Sequence, residues 1–301
     1  MDKTTIKDYW SILKETFSAF SDDKIAKLSA ALSYYTIFSL PPMLLVAISM
    51  FSIFFGREAI QGEVFGIIQD YVGADVALQI QTVLKETSLN YDSTWAAVAG
   101  IGALLIGATG IFIEIQDSIN FIWGLKTKPK KGIIKLFINR LLSFSMILVL
   151  GFVLMVSLLL SSFVEVFLNR LKQHFDENLV ETLFYVDYVV VFLTFSMLIA
   201  FIFKVLPSAK VGWKYVIRGA MLTSLLFMVG KYLIGFYLQK NTMISAYGGA
   251  GSLIILLAWV YFSAMILYFG AEFTQVYTRF KGESIHPDSY AVRIEKEVKE
   301  K

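Results

Sequence analysis

The chain has 301 residues, of which 56% are hydrophobic and only 17% charged, with a mean hydropathy of +0.65 and a formal net charge of +3. A soluble domain carries roughly 45–50% apolar and about 25% charged residues, so both departures exclude an ordinary water-soluble fold and point to lipid as the main solvent. The absence of cysteine excludes a disulfide framework and a thiolate metal site.

Taken in chain order, the first segment mixes both charge signs and lacks the layout of a secretory signal. Ile6, Trp10, Leu13, Phe17 and Phe20 recur at helical steps, while Lys7, Asp8, Lys14 and Glu15 occupy the other side. Residues 1–28 are therefore expected to form an amphipathic helix lying in the cytoplasmic interface of a membrane. Crossing a bilayer core takes about 20 apolar residues in a helix. The stretches Ser29–Phe55, Thr94–Trp123, Leu141–Val166, Leu183–Val205, Val216–Leu238 and Gly248–Val276 meet that test. They are continuous rather than alternating, which excludes a β-barrel. The fold class is all-α, a polytopic bundle of about six spans over residues 29–276.

The loop 56–93 is mainly acidic and carries two apolar stripes, Ile60, Val64, Ile67 and Tyr71, then Val76, Ile80, Val83, Leu84 and Thr87. It reads as two short helices capping the outer face. Orientation follows from lysine and arginine in the short connections. Lys24 and Lys27, then Lys126 to Arg140, then Lys204, Lys210, Lys214 and Arg218, then Arg279 and Lys281 fall on one side. Both termini are expected in the cytoplasm, with residues 277–301 a charged tail.

Ionisable groups inside a membrane are costly and need a reason. In the second span Glu114 and Asp117 share a face at i,i+3, and Gln116 and Asn120 form an i,i+4 pair with Thr109 on their side. Glu114 lies roughly 15 Å from the inner end of that helix, so it must be protonated, paired or open to water. Arg140, Arg218 and Lys204 are candidate partners, with Glu272 competing for them. In the first span, Pro41 and Pro42 delete two backbone donors, so the helix is expected to kink or break near mid-membrane. Tyr34, Tyr35, Thr36 and Ser39 precede that point. These residues together outline a candidate polar cavity facing the cytoplasm; the competing reading is that they only brace the bundle. Asp187 and Lys231, at similar depths, are expected to form a structural ion pair. Gly270-Ala271 permits close helix contact.

The same segments resemble the YihY/BrkB family of bacterial membrane proteins. The similar motifs are 28–42, Leu-Ser-Ala-Ala-Leu-Ser-Tyr-Tyr-Thr-Ile-Phe-Ser-Leu-Pro-Pro, and Gln116-x-x-x-Asn120-x-x-Trp123-Gly124. Arg140-Leu-Leu-Ser-Phe, Leu206-Pro207 with Val211-Gly-Trp213, and Tyr247-Gly-Gly-Ala-Gly-Ser-Leu through Trp259-x-Tyr261 to Gly270-Ala-Glu272 also fit. The likeness runs from about residue 25 to residue 277; Glu114 and Asp117 are not assigned by it. It implies a six-span protein of the bacterial cytoplasmic membrane, in a family labelled both as a virulence factor and as ribonuclease BN. The residues argue against the nuclease label. A metal-dependent nuclease needs clustered ligands around a water, and a metal-free one needs paired acid–base groups. The only histidines, His174 and His286, are expected on opposite sides of the membrane.

No enzyme activity, cofactor, metal or nucleic-acid partner is therefore expected. The favoured function is transport or handling of a lipid or amphipathic envelope precursor through the polar cavity, with the bilayer as the main partner. The alternative is a non-transporting scaffold for envelope assembly. Cargo and oligomeric state are not legible in the residues.

Overall fold

Apolar residues at helical spacing wind the N-terminal segment into α1 (Ile6–Asp22), whose Ile12 and Thr16 are fully buried. Trp10 and Phe17, on the expected apolar face, stay largely exposed. The computed structural model describes residues 6–55, 62, 65–66, 69, 77–78, 81–82, 107, 109–127, 177–240, 251–289 and 291–294. A turn through Asp23 and Lys24, the latter at φ +54°, reverses the chain into α2 (Ile25–Phe55).

Of the kink or break expected at Pro41-Pro42, a break is not found: α2 is helical throughout its length. Small residues on the neighbouring segment explain how the rings are tolerated. A Cβ on Gly107 would lie 2.9 Å from Pro42 Cγ, and one on Gly110 would lie 2.6 Å from Ser39 Oγ. The prolines each remove one ladder bond, and close packing against glycine holds the rest in line.

Next come α3 (Gly110–Ile122) and strand β1 (Leu125–Thr127). Gly124 takes φ +65°, a left-handed turn that a side chain resists, and this swings the chain from helix to strand. Further on lie α4 (Glu177–Val205), β2 (Ala209–Lys210), α5 (Trp213–Lys240) and α6 (Gly251–Phe280). After α6 come β3 (His286–Pro287) and β4 (Ala291–Arg293). Helix α6 is the hub, packing on α5, α2, α1 and α3, while α4 packs on α5 and α2 on α3.

Among the described residues, three helices are long and apolar enough to cross a membrane, within Ile25–Leu45, Trp213–Ile234 and Leu253–Phe280, and α4 carries the apolar stretch Val191–Val205. Helix α5 shows why lipid suits it. Ile217, Met221, Leu225 and Val229 form an exposed apolar stripe, whereas Gly219, Ala220, Thr223 and Ser224 are buried. An outward apolar stripe over a small-residue interior is the pattern of a helix packed in a bilayer.

The all-α expectation needs one correction. The tail does not stay apart as a charged extension: β3 pairs antiparallel with β2, and β4 pairs antiparallel with β1. Two connections at the end of the bundle leave free strand edges, and the tail supplies their partners. The third span, the side-chain pairing of Asp187 with Lys231, and the capping role of loop 56–93 lie outside the described residues.

The tightest helix contact joins α5 to α6. A Cβ on Gly219 would lie 1.9 Å from Thr274 Oγ1, and one on Gly270 would lie 1.7 Å from Thr223 Oγ1. Each threonine thus sits over the other helix's glycine, in antiparallel register. Gly219→Val and Gly270→Val are each expected to destabilise the protein by about 1–3 kcal/mol through overpacking, read as a lowered unfolding temperature in detergent. Gly66→Ala, where a Cβ meets nothing within 4 Å, is expected to leave it unchanged.

Candidate functional site

The turn that follows α4 is a polar problem solved by α3. Leu206, Pro207 and Ser208 are all buried, so their backbone groups need partners inside the protein. Gln116 Nε2 donates to the Leu206 carbonyl at 2.7 Å. Ser208 N donates to Asn120 Oδ1 at 2.8 Å, and Asn120 Nδ2 donates to Ser208 Oγ at 3.4 Å. The i,i+4 pair on one face of α3 therefore clasps an irregular turn. Four residues after Gln116 comes Asn120, and three more bring Trp123, whose Nε1 donates to the Ala271 carbonyl at 3.0 Å. Trp123 is 2% exposed and ties α3 to α6.

Beside that indole the end of the bundle opens into a cleft of about 460 Å³. One wall is α1, with Glu15, Ser18, Ala19 and Asp22, continued by Asp23 of the turn after it. The floor and back are Ile122, Trp123 and Gly124 with Glu272, Gln275 and Arg279 of α6, and the far wall is Arg293 and Ile294. Glu272 is fully buried at 0% exposure. Arg279 pairs with Glu15 and so joins α6 to α1. Both groups are substantially exposed, so this bridge adds about 0–1 kcal/mol at most. The carboxylates of Glu15, Asp22, Asp23 and Glu272 outnumber the guanidinium groups of Arg279 and Arg293. The cleft is thus acidic at an end of the molecule otherwise rich in Lys204, Lys210, Lys214, Arg218 and Lys281.

The residues that sequence reasoning grouped into one cavity fall into several places. Gln116 and Asn120 face inward and hold the turn. Thr36 Oγ1 donates to its own helix at the Leu32 carbonyl, 2.7 Å away, and Ser39 packs against Gly110. Pro41 and Pro42 are half-buried within α2. Tyr34 and Tyr35 point outward, 61% and 45% exposed, with Phe38 against Tyr34. Thr109 is buried at the start of α3. Glu114 accepts a hydrogen bond from Ser118 Oγ at 3.5 Å, and Asp117 lies on the exposed side of the same helix. Arg218 sits over the Tyr277 ring at 5.0 Å. Among that group, Glu272 lines the cleft; Arg140 lies outside the described residues.

Sequence reasoning missed the acids of α1 and the arginines Arg279 and Arg293 as parts of one site. The available signal was spacing: Glu15, Ser18 and Asp22 share one helical face, as do Glu272, Gln275 and Arg279.

A model of the family described as Virulence factor BrkB matches residues 16–294. The chain belongs to the BrkB family. Its membership explains the match of several UPF0761 membrane proteins. The one from Pseudomonas paraeruginosa is 31% identical over 84% of this chain and 59% of its own length. That from Saccharophagus degradans is 26% identical over 86% of this chain and 58% of its own length. That from Haemophilus influenzae is 24% identical over 84% and 90%. The chain thus spans about three-fifths of the length of several of its BrkB relatives. No solved structure matches it. With its apolar helices, this BrkB-family chain is a multi-pass bacterial membrane protein. The family match runs to Ile294, the residue after β4, well past the limit near residue 277 drawn from the sequence motifs. The folded tail is part of the family's common unit.

Removing the clasp leaves a buried N–H without its acceptor. Asn120→Ala is expected to cost about 1–3 kcal/mol, seen as a lowered unfolding temperature and faster proteolysis of the segment around Ser208. Asp117→Asn, on the exposed side of α3, is expected to leave both unchanged.

Proposed function

We propose that the protein handles an amphipathic membrane component, a lipid or an envelope precursor, whose polar headgroup is received in the cleft at the lysine-rich end. The observation that carries this reading is the cleft itself, with the fully buried Glu272 among its lining residues and a surplus of carboxylates around it. Glu15, Asp22 and Asp23 add their carboxylates to the lining, and a headgroup with a cationic part suits that sign. The exposed Trp10 and Phe17 on α1, the helix that walls the cleft, suit the interface between headgroups and acyl chains. In this reading the lysine-rich end and both termini are cytoplasmic, the bundle has six spans, and the protein makes and breaks no covalent bond.

A scaffold without transport is the second reading, and the Gln116–Asn120 clasp favours it. Those polar side chains hold the fold together and are turned toward a backbone turn rather than a ligand.

Leaflet exchange of fluorescent lipid analogues, including one with an amine headgroup, in vesicles holding the purified protein separates the two. The parent is expected to exceed protein-free vesicles, and Glu272→Gln to fall to the protein-free rate while its unfolding temperature stays within a few degrees of the parent. Absence of exchange by the parent, or parallel loss of stability and exchange in Glu272→Gln, would favour the scaffold.

A further inference from the structure

The tail leaves α6 at a left-handed Gly282, φ +73°, and turns back across the end of the bundle. Its two halves are held very differently. The first half is anchored: Ile285 is 5% exposed, β3 pairs with β2, and Asp288 N donates to the Ser208 carbonyl at 3.1 Å. Ser208 is the residue clasped by Asn120, so this attachment reaches the core of the bundle. The second half is β4, three residues long, whose ladder partner among the described residues is the equally short β1. A two-stranded ladder of that length is marginal by itself. Of its residues only Ala291 is buried, while Val292, Arg293 and Ile294 are exposed.

The weakly held half supplies Arg293 and Ile294 to the cleft, whose lining also includes the acids Glu15 and Asp22 of α1. Its last rung, Ile294 N to the Gly124 carbonyl at 2.8 Å, closes onto a residue of the cleft floor. Opening this ladder would not disturb the bond from Trp123 to Ala271, because that indole lies on the helix side of Gly124. A chain reversal between the two halves, with Ala291 N donating to the Asp288 carbonyl at 2.9 Å, provides a place to pivot.

We propose that β4 is the movable wall of the cleft: it unpairs from β1 to open the site and pairs again to close it, while β3 stays fixed. Short segments with few buried contacts are the ones that open locally under native conditions. The strap lies wholly within the stretch shared with the BrkB family, which ends at its final rung. The movement does not depend on what the cleft holds; its link to lipid exchange rests on the function proposed above.

The chain contains no cysteine, so introduced thiols report on their own positions. Ala291 and Ala209 are both buried, at 4% and 7% exposure, one in β4 and the other in the strand that anchors β3. Ala291→Cys is expected to react with a bulky maleimide about tenfold or more faster than Ala209→Cys, because local opening exposes it. Equal protection of the two thiols would overturn the proposal. The bonded rung at Gly124–Ile294 makes Thr127 and Ala291, three rungs on, a non-hydrogen-bonded pair with side chains close together. A Thr127→Cys/Ala291→Cys double variant can therefore be locked by oxidation. Locking is expected to stop lipid exchange, and reduction to restore it. An oxidised variant that exchanges lipid as the reduced one does would also overturn it. If the parent shows no exchange, the functional reading fails and the maleimide ratio alone decides the movement of β4.

Discussion

In lipid no water is at hand to satisfy a stray polar group or to drive helices together, so packing distance and internal hydrogen bonding decide the fold. The close approach of α5 to α6 is where that constraint is met most tightly. Glycine on each helix receives threonine from the other, and each threonine donates back to its own helix: Thr223 Oγ1 to the Gly219 carbonyl and Thr274 Oγ1 to the Gly270 carbonyl, both at 2.7 Å. The hydroxyl is satisfied before the helices meet, so its methyl and oxygen serve as a small packing surface. With α6 fixed this way, its C-terminal half presents Ala271 to Trp123, Phe269 to the aromatic face of α1, and Glu272 to the lining of the cleft.

The same device recurs at several buried small polar residues of α1, α2 and α6. Ser33 bonds the Ser29 carbonyl, Thr36 that of Leu32, Thr16 that of Ile12 and Thr278 that of Thr274. These residues look like a polar lining when read along the chain, yet their hydrogen-bonding capacity is turned inward to their own helix. In lipid a serine or threonine is as much a packing residue as a polar one. Gln116 and Asn120 differ because their side chains are too long to bond back to the helix in that manner. They reach instead to an irregular turn, where they satisfy the Leu206 carbonyl and the Ser208 N–H.

Much of the fold was legible because lipid imposes long apolar runs, and the ends of α2, α4, α5 and α6 lie close to where hydropathy places them. At Pro41 and Pro42 the helix runs on without a break. Sequence gives the two missing donors, but not that Gly107 stands opposite Pro42 to make room for its ring. The strands were illegible for a related reason. Residues such as His286-Pro287 and Ala291-Val292-Arg293 carry no alternating pattern of useful length, and they become strands only because two connections offer them edges. The candidate site was half legible. Glu272 could be picked out as an acid in an apolar run, whereas its neighbours Glu15, Asp22 and Arg293 come from segments that look like ordinary solvated charge until the bundle brings them together.

That convergence bears on how charge is used at this end of the molecule. Positive residues in the connections set orientation as the chain inserts, and a uniformly basic end would satisfy that requirement alone. Here Lys210 and Lys214 approach Asp288 and Glu283 at 3.9 Å, and Arg279 pairs with Glu15. Such exposed pairs add little stability individually. Their placement matters more: the pairs with Asp288 and Glu283 secure the anchored half of the tail, and the pair with Glu15 secures α1. Asp22 and Glu272 are among the residues that line the space between them. Basic residues thus fasten the two sides of the cleft while acidic ones give it its sign, so the features that orient the protein and those that shape its candidate site occupy the same end without opposing one another.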